Sequence, residues 1–229
     1  MVPLSFAGRR LFVAGDAALW WPERRALLLA DLHLEKGSFY AAHGQMLPPY
    51  DSRATIEAVA ALVELTRAER VLCLGDNYHD DGGEARLDRH AANSLQRLTA
   101  ALDWTWIRGN HDREVSGRWG GRALAELEVD GVLLRHEAKP GESRPELSGH
   151  FHPKLRMTIR GRHIARRCFL RTPTKLILPA FGALTGGLDA GHPEIARACG
   201  GRAEALVALA ERLACFPLDA SRPRSRRRA

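Results

Sequence analysis

Ile107-Arg108-Gly109-Asn110-His111-Asp112-Arg113 is the stretch on which the reading of this sequence turns. It follows the apolar run Trp104-Thr105-Trp106-Ile107, which has the length and β-forming composition of a buried strand. Gly, Asn, His and Asp then occupy consecutive positions, as where a strand end passes into a loop. Glycine tolerates backbone angles closed to other residues. Gly109 is therefore expected to aim the next side chains at one point beyond the sheet edge, where open α/β sheets keep their chemistry. An amide oxygen beside an imidazole suits a metal ligand beside a proton donor. Taken alone, the tetrapeptide also reads as an ordinary polar turn.

Four other stretches end in the same way. Leu27–Ala30 runs into Asp31-Leu32-His33, and Val71–Leu74 into Gly75-Asp76-Asn77. Val132–Arg135 runs into His136, and Leu147-Ser148 into Gly149-His150-Phe151-His152. Five strand ends offering only Asp, Asn and His exceed what chance turns supply. Their order, Asp-x-His, Gly-Asp, Gly-Asn-His-Asp, His, Gly-His-x-His, resembles the calcineurin-like metallophosphoesterase superfamily from about Asp31 to His152.

The chain has 229 residues, 45% of them hydrophobic, enough to bury a core as one domain over residues 1–220. No apolar run approaches the roughly 18 residues of a membrane span, and the first residues lack the basic-then-apolar pattern of a signal peptide. The expectation is a cytoplasmic protein without membrane contact. Cys73, Cys168, Cys199 and Cys215 form no CxxC pair and read as reduced thiols packed as small apolar groups. The formal charge of +7 is largely a tail: residues 221–229 hold five Arg and no acid, leaving +2 for residues 1–220. That tail is either a solvated, disordered segment or an arm touching phosphates.

Along the chain, three short apolar runs within residues 4–21 read as a meander leading into the buried strand Arg25–Ala30. Side chains two apart on an extended chain share a side, so Asp31 and His33 can face one ion. A loop over Glu35–Tyr50, carrying Phe39, Tyr40 and Met46, is long enough to border a cleft. Helical periodicity follows over Asp51–Thr66 and Glu84–Ala101, separated by the strand Arg70–Leu74. His79, in the polar connection after Asp76, is a candidate substrate contact or a local hydrogen-bonding group. Beyond Asp112 the pattern turns to β, with a hairpin about Asp130-Gly131, another about Gly161-Arg162, and a strand at Lys175–Pro179. His163 reads as structural or surface, and a helix over Ala203–Leu213 closes the domain.

Carboxylate, imidazole and amide without thiolate favour a hard or borderline divalent ion. The seven candidate ligands, Asp31, His33, Asp76, Asn110, His136, His150 and His152, exceed what one ion takes, so two are expected. The resemblance implies that Asp31, His33, Asp76 and His152 hold the first ion and Asp76, Asn110, His136 and His150 the second. Asp76 then bridges them. It further implies that His111, with Asp112 as its orienting partner, contacts the phosphate and protonates the leaving oxygen. Asn110 would share in substrate binding, and Arg108 and Arg113 are candidate phosphate clamps, set against a reading as surface arginines.

Leu29–Tyr40, Gly75–Asp80, Gly149–Pro153 and Leu178–Gly187 narrow the resemblance to the bacterial DNA ligase-associated metallophosphoesterases. That family implies an α/β fold, an αββα sandwich of two mixed β-sheets flanked by helices. It also implies a manganese-dependent phosphodiesterase (with Mg, Fe or Zn as other choices) acting as a DNA endonuclease in repair. Its associates would be an ATP-dependent DNA ligase, a helicase and a metallo-β-lactamase-type exonuclease. A small-nucleotide or other small-molecule phosphodiesterase or phosphomonoesterase is the alternative on the same core. A catalytically silent scaffold of this fold, like the retromer subunit, would be expected to lack ligands that are all present here.

Overall fold

Leu27, Leu28 and Leu29 are all fully buried, which requires cover on both faces of their strand. A computed structural model, describing residues 1–48 and 50–218, shows how that cover arises. The first seven strands form one sheet in sequence order: β1 (Val2–Phe6), β2 (Arg9–Ala14), β3 (Ala18–Trp21), β4 (Ala26–Leu29), β5 (Arg70–Leu74), β6 (Asp103–Ile107) and β7 (Arg122–Leu124). Pairing is antiparallel from β1 to β4 and parallel from β4 to β7. Helices α1 (Lys36–Ala42), α2 (Asp51–Thr66), α3 (Gly83–Arg86) and α4 (Arg89–Ala101) lie in the connections.

The chain continues through β8 (Leu127–Val129), β9 (Val132–Leu134) and β10 (Glu146–Ser148) to a separate two-stranded ribbon, β11 (Lys154–Ile159) and β12 (Arg162–Arg167). It then forms β13 (Phe169–Arg171), β14 (Lys175–Ile177), α5 (Pro193–Cys199), β15 (Ala203–Ala208) and β16 (Leu213–Leu218). The second large sheet has the order β16-β15-β13-β14-β10-β9-β8, with β9, β10 and β14 parallel. Alternate residues divide the core. Leu28, Leu72, Leu74 and Ile107 meet Leu134, Leu147, Phe169 and Leu176 between the sheets. Leu27, Leu29, Val71 and Trp104 face the other way, onto Ile56, Val59 and Leu95 of α2 and α4. Leu170, Ile177 and Ala205 pack under Ile195 and Ala198 of α5. The result is the expected helix, sheet, sheet, helix layering.

Several local expectations are corrected. Residues 203–213 are not a helix. They give β15 and the start of β16, because pairing with β13 outweighs the helix propensity of an Ala- and Glu-rich stretch. The terminal helix is instead α5, with His192 as N-cap, Pro193 in the first turn and Gly200 left-handed at its end. The helix expected over Glu84–Ala101 breaks at Leu87-Asp88, where the Asp88 carboxylate accepts from His90 N and Ala91 N and starts α4. The loop Glu35–Tyr50 contains α1. The second hairpin turns at Arg160-Gly161, one residue earlier than expected, both at positive φ. The strand expected over residues 163–170 divides at Cys168 between the ribbon and the second sheet. The DNA-contact reading of residues 221–229 lies outside the described residues.

Candidate metal centre

Each proposed ligand follows the carboxyl end of a strand that has a parallel neighbour. Asp31 and His33 follow β4, Asp76 follows β5, and Asn110 follows β6 in the first sheet. His136 follows β9, and His150 and His152 follow β10 in the second. Stacking the sheets therefore brings together donors far apart in sequence. Asp31, His33, Asp76 and His152 form one group, and Asp76, His136 and His150 a second, with the Asn110 amide oxygen 2.9 Å from both His136 Nε2 and His150 Nδ1. The Asp76 carboxylate serves both groups: Oδ2 lies 3.7 Å from His33 Nε2 and Oδ1 lies 3.4 Å from His136 Nε2.

The donor set fits a pair of divalent ions. Atoms bound to one such ion at about 2.0–2.2 Å stand about 2.8–3.6 Å from one another. His33 Nε2 and His152 Nε2 are 3.2 Å apart, His152 Nε2 and Asp31 Oδ1 3.5 Å, and His136 Nε2 and His150 Nδ1 3.0 Å. Proton accounting agrees. His136 Nδ1 lies 3.1 Å from the Leu74 carbonyl, which only accepts, so that nitrogen carries the proton and Nε2 presents a lone pair. That lone pair meets the Asn110 oxygen and His150 Nδ1, three acceptors with at most one proton among them; a cation satisfies all three.

The local backbone is unusual. Asp31, His33, Asp76, His150 and His152 all have positive φ, between 44° and 72°, a region costly for residues with a Cβ. Asp31 and His33 thus share a side through two left-handed residues, and not through an extended strand as the spacing implied. Hydrogen bonds from Asp31 N to Gly75 O (3.1 Å) and from His33 N to Asp76 O (2.9 Å) hold them there. The reason for Gly109 also differs from expectation. Its φ is ordinary, but a Cβ there would collide with Asp76 Oδ1, as one at Gly75 would with His136 and one at Gly149 with Asp31 Oδ2. These glycines make room for ligands.

Burial sets the charge states. It drives the His33 imidazole down to about 2 against the pull of Asp31. His79 is lowered to about 4 by burial and then by the nearby Lys36 ammonium, and His150 is lowered by burial and by His136. Burial alone would raise the Asp31 carboxyl, yet the facing His152, His136 and His33 bring it below its ordinary value. All these neutral imidazoles and this carboxylate are in the state a metal requires.

His111 is exposed at the mouth of the site, its ring 5.0 Å from that of His33. Its Nδ1 lies 2.8 Å from the His79 carbonyl, and the two rings stack at 5.2 Å. Asp112 is not its partner. That carboxylate is buried and accepts from Gly109 N, Asn77 N, Asn77 Nδ2 and Tyr78 N, tying the ends of β5 and β6 together. Burial pushes it up to about 6 despite these donors, with the Asp76 carboxylate adding to the rise. His79 Nδ1 lies 3.3 Å from His33 Nδ1, the local hydrogen-bonding position. Arg108 and Arg113 are exposed and make no ion pair among the described residues. Sequence reasoning passed over Asn77, whose amide also donates to Ile107 O, and Lys36, whose ammonium lies over the Tyr40 ring. An Asn directly after a strand-end Asp was the available sign of the first.

Two stacked mixed sheets converge Asp, His and Asn side chains at their carboxyl ends, the arrangement of a candidate metal centre. The chain belongs to the calcineurin-like phosphoesterase family, which it matches over residues 24–154. Among solved structures it is similar to the Pseudomonas putida nuclease MPE, with 28% identity and a TM-score of 0.72 over 94% of this chain and 98% of that one. The Escherichia coli phosphoesterase YfcE aligns at 13% identity and TM-score 0.42, covering 86% of this chain and 99% of its own. No curated protein matches the sequence. Among the described residues no helix is long and apolar enough to cross a membrane.

Proposed function

We propose that the protein is a dinuclear phosphodiesterase that cleaves DNA. The observation that carries this reading is the Asp76 carboxylate, with one oxygen toward each of two donor groups that otherwise share no residue. Asp31, His33, Asp76 and His152 would hold one ion and Asp76, Asn110, His136 and His150 the other. When bound, the pair supplies Lewis acidity toward a phosphoryl oxygen and a water acidic enough to attack near neutral pH. Carboxylate, amide and imidazole donors without thiolate suit a hard or borderline divalent ion; the family resemblance puts manganese first, with Mg, Fe and Zn the others.

His111 donates the proton that the leaving oxygen needs. Its Nδ1–H is held by the His79 carbonyl, so the transferable proton is the one on Nε2 of the imidazolium. His79 both anchors His111 and braces His33 from behind. Asp112 acts at one remove, by fixing the Gly109–His111 turn through its bond from Gly109 N. Arg108 and Arg113, exposed on either side of that turn, are the candidate phosphate contacts, set against a reading as surface arginines.

DNA as substrate is supported by the likeness to a nuclease along nearly the whole of both chains. The sequence resemblance to the DNA ligase-associated family adds to this proposal a repair role in the cytoplasm and functional association with an ATP-dependent DNA ligase, a helicase and an exonuclease. The test is metal-depleted protein reconstituted with Mn, Mg, Zn or Fe in turn and assayed on closed-circular DNA, bis(4-nitrophenyl) phosphate and a nitrophenyl monoester. Nicking of DNA, greatest with Mn, is expected. Hydrolysis of the small esters without nicking under any metal would replace the DNA reading with a small-molecule phosphodiesterase or phosphomonoesterase.

A further inference from the structure

The ribbon β11–β12 begins two residues after His152 and belongs to neither large sheet. Between residues 154 and 167 it carries Lys154, Arg156, Arg160, Arg162, Arg166 and Arg167, and the sequence has no Asp or Glu anywhere from 147 to 188. Register places Lys154, Arg156 and Thr158 opposite Arg167, Ala165 and His163 on one face. On the other, Leu155 is fully buried and Met157 packs beside it, which seats the base of the ribbon on the core beneath α5. Arg160 and Arg162 at the tip, and Arg166 opposite Leu155 near the base, are exposed, and these three make no ion pair among the described residues.

The base is tied to the site. Lys154 Nζ donates to Thr185 O at 3.2 Å, Arg156 to Gly187 O at 3.3 Å and Arg167 to Gly182 O at 2.9 Å. In the same loop, Gly182 and Gly187 press so closely on the Leu32 and His152 carbonyls that a Cβ would collide with them. The ribbon therefore projects at a fixed bearing from the donor cluster. Charge on an exposed strand edge also prevents edge-to-edge pairing, but acids would serve that purpose equally and none is present. A six-residue strand spans about 20 Å. That is far longer than one phosphate and matches several along a strand, with spacing of about 3.4 Å per nucleotide in duplex DNA. An uninterrupted run of one sign over such a length is the electrostatic complement of a polyanion.

We propose that the β11–β12 ribbon is a docking arm for the sugar–phosphate backbone of the DNA strand, delivering it to the metal centre; this rests on the DNA reading above. Its contacts are sequence-independent, and it selects polymeric substrate over small esters. The test uses the metal-loaded full chain, with a single-stranded oligonucleotide as competitor of bis(4-nitrophenyl) phosphate hydrolysis over a range of salt concentrations. The combined substitution Arg160→Gln, Arg162→Gln, Arg166→Gln should raise the oligonucleotide inhibition constant about tenfold or more and reduce its log–log salt slope by about 2, at about 0.7 per lost contact. Its kcat and KM for the small diester should be unchanged, and the corresponding Arg→Lys triple should bind as the parent does. An unchanged inhibition constant and slope, or a parent protein that DNA does not inhibit, overturns the arm. A parent that DNA inhibits through the ribbon but that cuts no DNA leaves the arm standing and sinks the nuclease reading instead.

Discussion

At the scale of single residues, the site divides into groups whose loss should be told apart by substrate. Asp76→Ala removes the only donor common to both groups, so hydrolysis of every ester should fall by more than about 100-fold, beyond what loss of a supporting partner costs. Metal analysis would show fewer than two ions bound; two ions and retained activity would refute the bridging role. His111→Ala should cut DNA cleavage by about 10²–10⁴ while largely sparing bis(4-nitrophenyl) phosphate, because nitrophenolate leaves without a proton and an alkoxide does not. Equal losses on both substrates would make His111 a phosphate-positioning group. Asp112→Ala strands Gly109 N and Asn77 N, an expected destabilisation of about 1–3 kcal/mol in urea unfolding. The convergence of Asp, His and Asn side chains at the seam was legible in the sequence because each follows the end of an apolar strand-like run. The role of Asp112 was not, because adjacency to His111 does not reveal that its side chain turns inward to the β5 loop. Nor was the reason for the glycines, which depends on what approaches from elsewhere in the chain.

Elements were legible where periodicity and turn chemistry agreed, as at Asp130-Gly131, whose positive φ values of 52° and 72° suit the two-residue hairpin. They were not where local propensity and tertiary pairing disagreed. Ala203–Ala208 has a helical composition but lies between β13 and β16, and that pairing decides its form. Asp88 interrupted a continuous helical pattern because its carboxylate competes with the helix backbone as a cap. Asp88→Ala should therefore cost about 1–2 kcal/mol, most of it from the lost cap. The Arg53 ion pair adds little, since both partners are well exposed. Urea unfolding checks the size, and small-diester hydrolysis should be unaltered; a variant as stable as the parent would show that α3 and α4 need no cap to separate.

At the scale of the whole molecule, metal and proton compete for the seam between the sheets. In metal-free protein, His33 and His79 titrate at about 2 and about 4, below the value of 6.5 for a free imidazole. Their folded values are depressed, so the stability they contribute is complete above about 6.5 and is lost as pH falls toward 4 for His79 and toward 2 for His33. Asp112, raised from 3.8 to about 6, acts oppositely: its contribution is complete below about 3.8 and disappears as pH rises through 6. Two imidazoles against one carboxyl favour a net loss on acidification. Denaturation midpoints of metal-free protein should thus be lower at pH 5 than at pH 7, and added Mn at pH 7 should raise the midpoint further by binding only the folded form. Equal midpoints at the two pH values would mean that these imidazoles are hydrated and not buried.

Asp31 and His150 stand 119 residues apart yet touch through the His150 amide. This separation puts a clock on biosynthesis. While the ribosome has released only the first sheet, the emerging polypeptide exposes Asp31, His33 and Asp76 but lacks His136, His150 and His152. An ion met at that stage finds only a partial set of donors and is readily surrendered. Neither complete donor group exists until translation has passed His152 and β9 and β10 have docked, so a stalled or truncated product lacks the full set of ligands.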